Sequence, residues 1–203
     1  MSLETAKDRF LSVPWIYDTF RPLVVGGIDH EDQARFCKIE KTDRVFDLGC
    51  GTAQLLNHIH CEKYLGVDLD AYALERASRF SAGHIRFLEG DAWDDAYREL
   101  EPTVVLMIGV VHHLPDGVFQ SLIQRLRQGL SSPPRLVTFD VGFFKGAVIN
   151  NLFSKLDRGK YVRNIQEYEQ LFHYSSLQIT SREILLTRLR YVRYIGYHLA
   201  FQR

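Results

Sequence analysis

The chain has 203 residues, of which 46% are hydrophobic and 25% charged, and its 25 basic side chains balance its 25 acidic ones. This composition excludes a disordered or low-complexity chain, and the length suits one domain with a substantial core. A domain that grips nucleic acid usually carries a basic excess, so the balanced charge argues against that role.

Three further sequence features bear on where the protein works. No apolar run reaches the roughly 20 residues that span a bilayer. The N-terminus lacks the basic start and apolar stretch of a signal peptide. Cys37, Cys50 and Cys61 are odd in number and have no CxxC spacing, which is typical of a reducing compartment. We therefore expect a cytoplasmic protein without a membrane span.

Five short runs are apolar at nearly every position, which indicates strands buried on both faces, as in a parallel sheet covered by helices. They are Arg44–Leu48, Tyr64–Leu69, Ile85–Leu88, Val104–Val110 and Leu136–Val141. Between them apolar side chains recur at helical spacing, and the longest stripe runs from Phe119 to Leu130. This alternation predicts a right-handed, doubly wound α/β sheet.

The last third of the chain has a different pattern. A long connection between Gly142 and Ile165 contains a short apolar run, 147–153, and precedes a predicted helix over 165–172. Leu177–Leu186 and Tyr191–Phe201 alternate in part and are joined by a few polar residues. They predict an antiparallel hairpin at the C-terminus, although its turn has no glycine or asparagine.

The strongest local motif is VFDLGCGTAQ, residues 45–54, in which an apolar strand runs into a loop with two glycines. Gly49 and Gly51 would let the backbone turn tightly and approach a ligand closely. A dinucleotide-binding loop would have a third glycine where this chain has Gln54. The carboxylate of Asp47 would repel a pyrophosphate but attract an ammonium or a sulfonium, so the loop predicts a cationic cofactor.

Three more polar motifs follow successive strands, at the edge where open α/β sheets bind their ligands. Asp68 follows the second strand and could accept hydrogen bonds from both hydroxyls of a ribose. Asp91, in the run GDAWD, follows the third strand, where a carboxylate could meet the amine of an adenine. The run 107–116 ends the fourth strand and contains His112 and His113.

The runs Asp47–Thr52, Asp68, Gly90–Ala92 and His113–Leu114 resemble, in order and spacing, the motifs of class I S-adenosylmethionine-dependent methyltransferases. The resemblance covers residues 44–140. It implies a mostly parallel, seven-stranded, doubly wound sheet with an antiparallel C-terminal hairpin strand, in a single domain over 1–203. It also implies the cofactor S-adenosyl-L-methionine, held by Asp47, Gly49, Cys50 and Gly51 at the methionine part, Asp68 and Leu69 at the ribose, Asp91 and Ala92 at the adenine, and Ile108 and Gly109 near the sulfur.

The same resemblance assigns roles to the segments outside the motifs. Residues 1–43 would be an N-terminal helical cap region, in which Trp15–Phe20 would close over the cofactor. Residues 142–165 would be an insertion on the substrate side. The run LDRGKYVRN, 156–164, resembles segments of some bacterial methyltransferases but does not indicate a substrate.

The candidate catalytic residues are His112 and His113. Methyl transfer depends mainly on alignment of the acceptor with the methyl group, but a hydroxyl acceptor must also lose its proton. Histidine suits that task near neutral pH, and His113 is the better candidate because it matches the histidine of the family motif. No metal-ligand spacing is visible in the sequence, so we expect a metal-independent enzyme.

Residues 145–163 contain five basic side chains (Lys145, Lys155, Arg158, Lys160 and Arg163) and one acidic side chain (Asp157). They are either an ordinary solvated loop or a cap that attracts an anionic acceptor. The predicted function is methyl transfer to a small molecule, at oxygen because the histidine pair is present and the Asn/Asp-Pro-Pro-aromatic motif of many amino-group methyltransferases is absent.

Three alternatives stay open. The first is an RNA or protein acceptor, which the basic C-terminal residues Arg188, Arg190, Arg193 and Arg203 favour. The second is a non-catalytic, cofactor-binding partner subunit. The third, a nicotinamide-dependent oxidoreductase, is opposed by Gln54 and Asp47. No motif in the sequence specifies the acceptor or the oligomeric state.

Overall fold

The computed structural model describes residues 29–90, 96–157 and 159–202, and every structural statement below concerns these ranges. Some predictions therefore lie outside the described residues: the closing segment Trp15–Phe20, the adenine contacts of Asp91 and Ala92, and the roles considered for Arg158 and Arg203.

Within those ranges helices and strands alternate up to α6, except that only a 3₁₀ turn separates β1 from β2, and two strands follow α6. In chain order they are α1 (His30–Cys37), β1 (Arg44–Leu48), β2 (Lys63–Asp68), α2 (Ala71–Ala77), β3 (Ile85–Glu89), α3 (Ala96–Leu100), β4 (Val104–Ile108), α4 (Asp116–Gly129), β5 (Arg135–Phe143), α5 (Val148–Leu156), β6 (Arg163–Asn164), α6 (Ile165–Tyr174), β7 (Leu177–Leu186) and β8 (Arg193–Phe201). Short 3₁₀ turns lie at Gln54–Asn57, Ser78–Phe80 and Val111–His113.

The strands form one sheet in the order β3-β2-β1-β4-β5-β8-β7, with the short β6 beside β5. Strands β1 to β5 pair in parallel, β8 runs antiparallel to β5, and β7 runs antiparallel to β8. The predicted doubly wound, mostly parallel sheet with an antiparallel C-terminal hairpin is confirmed. Arg190 lies in the hairpin turn and has the left-handed conformation, with φ +60°. Glycine or asparagine usually occupies such a position, and this turn contains neither.

The core lies on both faces of the central strands. Val104 to Met107 of β4 are completely buried, as the continuous apolarity of that run predicted. Helix α4 buries Phe119, Leu122, Ile123 and Leu126, which are members of the predicted stripe. Strand β4 ends at Ile108, two residues earlier than predicted, because Gly109 has φ +72° and turns the chain out of the sheet.

Helix α5 turns its polar side towards the sheet. Asn150 and Ser154 are buried and donate hydrogen bonds to the carbonyl of Gly142, at 2.8 and 3.1 Å. Val148 and Leu152 point outwards and are 79% and 56% exposed. The apolar run predicted at 147–153 therefore lies in a helix whose apolar side faces outwards. No helix in the described ranges has both the length and the apolarity to cross a membrane.

Candidate functional site

The glycine loop follows β1 at the carboxyl edge of the sheet. Gly49 and Gly51 have φ of +70° and +53°, and a Cβ added to Gly49 would lie 2.6 Å from Cγ2 of Val110. The backbone N–H groups of Gly49 and Cys50 both donate to the carbonyl of Val67, at 2.8 and 3.1 Å. The loop is therefore held tightly against the end of β2. A Cβ on Gly51 would meet nothing within 4 Å, so the other side of the loop is open.

Asp47 lies at the base of this loop and is 4% exposed. The hydroxyl of Tyr64 donates to its Oδ2 at 2.5 Å, while its Oδ1 is buried and has no hydrogen-bond partner among the described residues. Burial raises the pKa of Asp47 to about 7 and the charge of Asp68 adds to the rise, against the hydrogen bond from Tyr64. A cationic ligand here would favour the ionised carboxylate and complete its hydrogen bonding.

A cavity of about 170 Å³ lies beside Asp47 and the glycine loop. Ile108 at the end of β4 lines it, and so do His30 and Gln33 of α1. Helix α1 lies within residues 1–43, where a helical cap region was expected, and it forms one wall of this cavity. The signal for it was present, since Asp29 caps the helix by accepting from the N–H groups of Glu31 and Asp32.

Asp68 joins the end of β2 to the glycine loop. Its Oδ2 accepts from the N–H of Gly51 at 2.7 Å, and its Oδ1 accepts from the N–H of Asp70 at 2.9 Å. Each carboxylate oxygen can accept a further bond, so a ligand hydroxyl could still bind there. The next residue, Leu69, is 75% exposed.

Cys50 packs against the sheet rather than pointing to solvent. A Cβ added to Gly66 of β2 would lie 2.8 Å from its Sγ, and burial raises the pKa of the Cys50 thiol. The structure thus brings the loop residues, Asp68 and Ile108 together at one edge of the sheet.

The predicted catalytic histidines lie at the end of β4, in the turn Val111–His113. His112 is 2% exposed. Its Nδ1 lies 2.7 Å from Oδ1 of Asp140 on β5, and its Nε2 lies 3.1 Å from Oδ1 of Asp157. Burial lowers the pKa of His112, but the hydrogen bonds and charges of the two aspartates outweigh it and raise the pKa to about 9.

His113 differs from its neighbour in exposure. His113 is exposed, and the centroid of its ring lies 4.2 Å from the centroid of the His112 ring. Both ring nitrogens of His112 already face carboxylates, so His113 is the member of the pair whose ring can meet an acceptor.

Asp157 and residues 159–163 run along the β4 turn, and we call these residues the strap. A Cβ added to Gly159 would lie 2.0 Å from Cδ2 of His112, so the strap backbone packs directly on that ring. The N–H of Tyr161 donates to the carbonyl of His112 at 3.0 Å. Asp157, Gly159, Tyr161 and Arg163 of the run LDRGKYVRN thus contact the β4 turn.

Arg163 is 7% exposed, although both sequence interpretations, a solvated loop and a cap for anionic acceptors, required it to be accessible. Its guanidinium donates to the carbonyls of Val111 and Leu114, at 3.2 and 2.8 Å, and to the carboxylate of Asp116. It therefore fastens the strap to the β4 turn. Lys145 and Lys160 are exposed and remain available to an anionic molecule.

Sequence reasoning missed Asp140 and Asp157. Asp140 follows four apolar or small residues in β5 and is 2% exposed, and a carboxylate in a buried strand was the signal that could have identified it. Asp157 carried no comparable signal, because only the fold brings it to His112.

A family model for a methyltransferase domain matches residues 45–132. No sequence among the curated proteins compared matches this chain. Three solved structures resemble this chain in fold, and their sequences are 13–17% identical to it.

An S-adenosylmethionine-dependent methyltransferase from Mesorhizobium loti aligns with a TM-score of 0.62 and 16% identity, covering 85% of this chain and 98% of that one. The 1,6-didemethyltoxoflavin-N1-methyltransferase of Burkholderia thailandensis, with bound 1,6-didemethyltoxoflavin and S-adenosylhomocysteine, aligns with a TM-score of 0.65 and 13% identity, covering 98% and 88%. The S-adenosylhomocysteine-bound form of CalO1, a methyltransferase in calicheamicin biosynthesis, aligns with a TM-score of 0.68 and 17% identity, covering 100% and 61%.

Proposed function

We propose that this chain, a class I S-adenosylmethionine-dependent methyltransferase with the matched domain at residues 45–132, transfers the methyl group to a hydroxyl oxygen of a small molecule. The observation that carries the proposal is the pairing of two sites on one edge of the sheet. One is the cavity of Asp47 and the glycine loop, and the other is the histidine pair at the end of β4.

The first site fits the cofactor. The buried Oδ1 of Asp47 has no hydrogen-bond partner in the described ranges, and a ligand ammonium would supply one. A side chain at Gly49 would collide with Val110, whereas the space beside Gly51 is open to a ligand. The bound cofactor supplies an electrophilic methyl group on a sulfonium.

The chain's own residues hold and orient the cofactor in this proposal. Asp47 and the loop residues Gly49, Cys50 and Gly51 contact the methionine part, and Asp68 with Leu69 contacts the ribose. Ile108 and Gly109 lie near the sulfur. The glycine loop and Ile108 line the same cavity, which supports this arrangement along the edge.

The histidine pair activates the acceptor hydroxyl in this proposal. His113 contacts the acceptor, because its ring is the exposed one, and His112 is held between Asp140 and Asp157 beneath it. The named neighbours support a small-molecule acceptor, since CalO1 belongs to calicheamicin biosynthesis and the Burkholderia protein holds 1,6-didemethyltoxoflavin. That second neighbour is an N1-methyltransferase, so the preference for oxygen rests on the histidines of this chain.

Calorimetry on the full chain tests the cofactor site. S-adenosylhomocysteine should bind with a stoichiometry of one, and Asp47→Asn should weaken binding about tenfold or more because it removes the charge that faces the ligand ammonium. His60→Gln, at an exposed histidine away from the edge, is the matched control. Absence of binding by the wild-type chain would refute the proposed enzyme.

Labelled S-adenosylmethionine with a panel of phenols, sugars, hydroxy acids and amines tests the acceptor. Label should enter hydroxyl compounds, and label found only in amines would contradict the preference for oxygen. Lys160→Glu should raise the KM of anionic acceptors and leave that of neutral ones unchanged, since Lys160 is exposed on the strap.

A further inference from the structure

His112, His113 and Asp157 converge on one point beside the end of β4. Each offers one ligand atom, a ring nitrogen or a carboxylate oxygen, and these three atoms lie within 4.8 Å of one another. His112 and Asp157 are buried, with side chains 3% exposed, whereas His113 is exposed. The cluster is thus anchored in the protein on one side and open on the other.

Asp140 prepares His112 for a ligand role. Its Oδ1 lies 2.7 Å from Nδ1 of His112, so Nδ1 can keep its proton and donate to Asp140 while an ion takes the place of the Nε2 proton beside Asp157. A histidine that binds a metal almost always donates its other N–H to a carboxylate, a carbonyl or water in this way. The N–H of Gly159 donates to Oδ1 of Asp157 at 2.9 Å and fixes the carboxylate in turn.

The charge of the cluster also calls for a cation. Asp140 and Asp157 place two buried carboxylates against the ring of His112, and buried carboxylates favour a cation beside them. A proton on His112 would cancel one of the two charges, and a divalent ion would cancel both.

We propose that His112, His113 and Asp157 bind a divalent metal ion that activates the acceptor hydroxyl. The inference rests on the proposed function and specifies how its acceptor side works. Two imidazole nitrogens and one carboxylate suit Zn²⁺, Mn²⁺ or Co²⁺. Three protein ligands leave positions for the acceptor, and more than one open position favours acceptors with two adjacent oxygens, such as diols and hydroxy acids.

The reaction balances without a side chain that accepts the proton. Coordination to the ion lowers the pKa of the hydroxyl, and its proton passes to water. The oxygen keeps the electron pair of the broken O–H bond and uses it to form the O–C bond. The electron pair of the broken C–S bond returns to sulfur.

Metal titration of the full chain tests the site. The protein is freed of metal with a chelator and titrated with Zn²⁺ by calorimetry and with Co²⁺ by visible absorption. We expect one ion per chain, with d–d bands for Co²⁺. Asp157→Asn and His113→Gln should each weaken binding at least tenfold, and Asp140→Asn should weaken it by about 10–100-fold. His60→Gln, which replaces a histidine outside the cluster, should bind as the wild type does.

Two results would overturn the inference: no stoichiometric binding by the wild type, or binding unchanged in both Asp157→Asn and His113→Gln. His113 is exposed, so its replacement keeps the test valid even if Asp157→Asn does not fold. Binding of S-adenosylhomocysteine is measured on the same samples. If that binding persists while the metal fails to bind, the metal site is wrong and the proposed methyltransferase stands.

Discussion

The two halves of the carboxyl edge, to which we assign the cofactor and the acceptor, are built from different parts of the chain. The cofactor half, at β1 and β2, depends mostly on backbone: N–H groups of Gly49, Cys50 and Gly51 bind Val67 and Asp68. The acceptor half, at β4, β5 and the strap, depends on buried charged side chains from separate elements, above all Asp140, His112 and Asp157.

This difference decides which mutations each half can tolerate. A site formed by backbone groups is disrupted by a substitution that adds a Cβ where there is no room for one. It is less affected by the identity of side chains that point away from the site. A buried charge network depends on every member, because removal of one leaves another uncompensated. The two halves should therefore fail separately, under different substitutions.

The largest expected effect is that of Gly49→Ala on the cofactor half. The new Cβ would lie 2.6 Å from Cγ2 of Val110, at φ +70°, where an L-residue is strained by about 1–2 kcal/mol. The loop must shift, so calorimetry should show at least a tenfold weaker affinity for S-adenosylhomocysteine, with metal binding at the acceptor half retained. Gly83→Ala is the control, since that glycine is exposed and has no atom near its Cβ position. Wild-type affinity in Gly49→Ala would contradict the close packing of the loop.

Gly159→Ala applies the same kind of change to the acceptor half. The added Cβ would lie 2.0 Å from Cδ2 of His112 and 2.7 Å from its carbonyl oxygen, so the strap must move off the ring. Steady-state kinetics should show kcat/KM for the acceptor falling about tenfold, while the affinity for S-adenosylhomocysteine stays within about twofold. A loss of cofactor affinity equal to that in Gly49→Ala would show that the halves are not separable.

The cofactor half could be predicted from sequence because its determinants are close together in the chain. The strand, the two glycines and Asp47 form one contiguous motif, and Asp68 ends the strand that pairs with it. Local chemistry and the parallel sheet were enough to place these residues at one edge.

The acceptor half could not be predicted in the same way. Asp140 is 28 residues from His112 along the chain, and only the pairing of β4 with β5 and the path of the strap bring the aspartates to the ring. The sequence left Arg163 either in a solvated loop or in a cap for anionic acceptors, but backbone carbonyls in the β4 turn and Asp116 occupy its guanidinium. Charge counts along a sequence do not show which cations are used inside the fold.

Helix α5 shows a further limit of pattern reading. Helical periodicity identifies two faces but not which of them turns inwards. Here the carbonyl of Gly142 binds Asn150 and Ser154, so the polar face is buried and Val148 and Leu152 are exposed. Hydrogen bonding to the carbonyl of the β5 residue Gly142 accompanies this orientation.

The smallest expected effect concerns the buried carboxylate of Asp47, whose charge faces the proposed cofactor site. Burial raises its pKa from 3.8 to about 7, so between about pH 4 and 7 the folded chain holds a proton that the unfolded chain has lost. The free energy of unfolding should therefore fall as pH rises through this window and level off above it.

A cationic cofactor favours the ionised form, so affinity for S-adenosylmethionine should rise several-fold between about pH 5.5 and 7.5. Urea unfolding and calorimetry across this range should show both trends in the wild type and in the exposed-site control Glu75→Gln, and neither in Asp47→Asn. If Asp47→Asn keeps the slope of affinity with pH, the cofactor half draws its charge from another group, and the contrast with the charged acceptor half weakens.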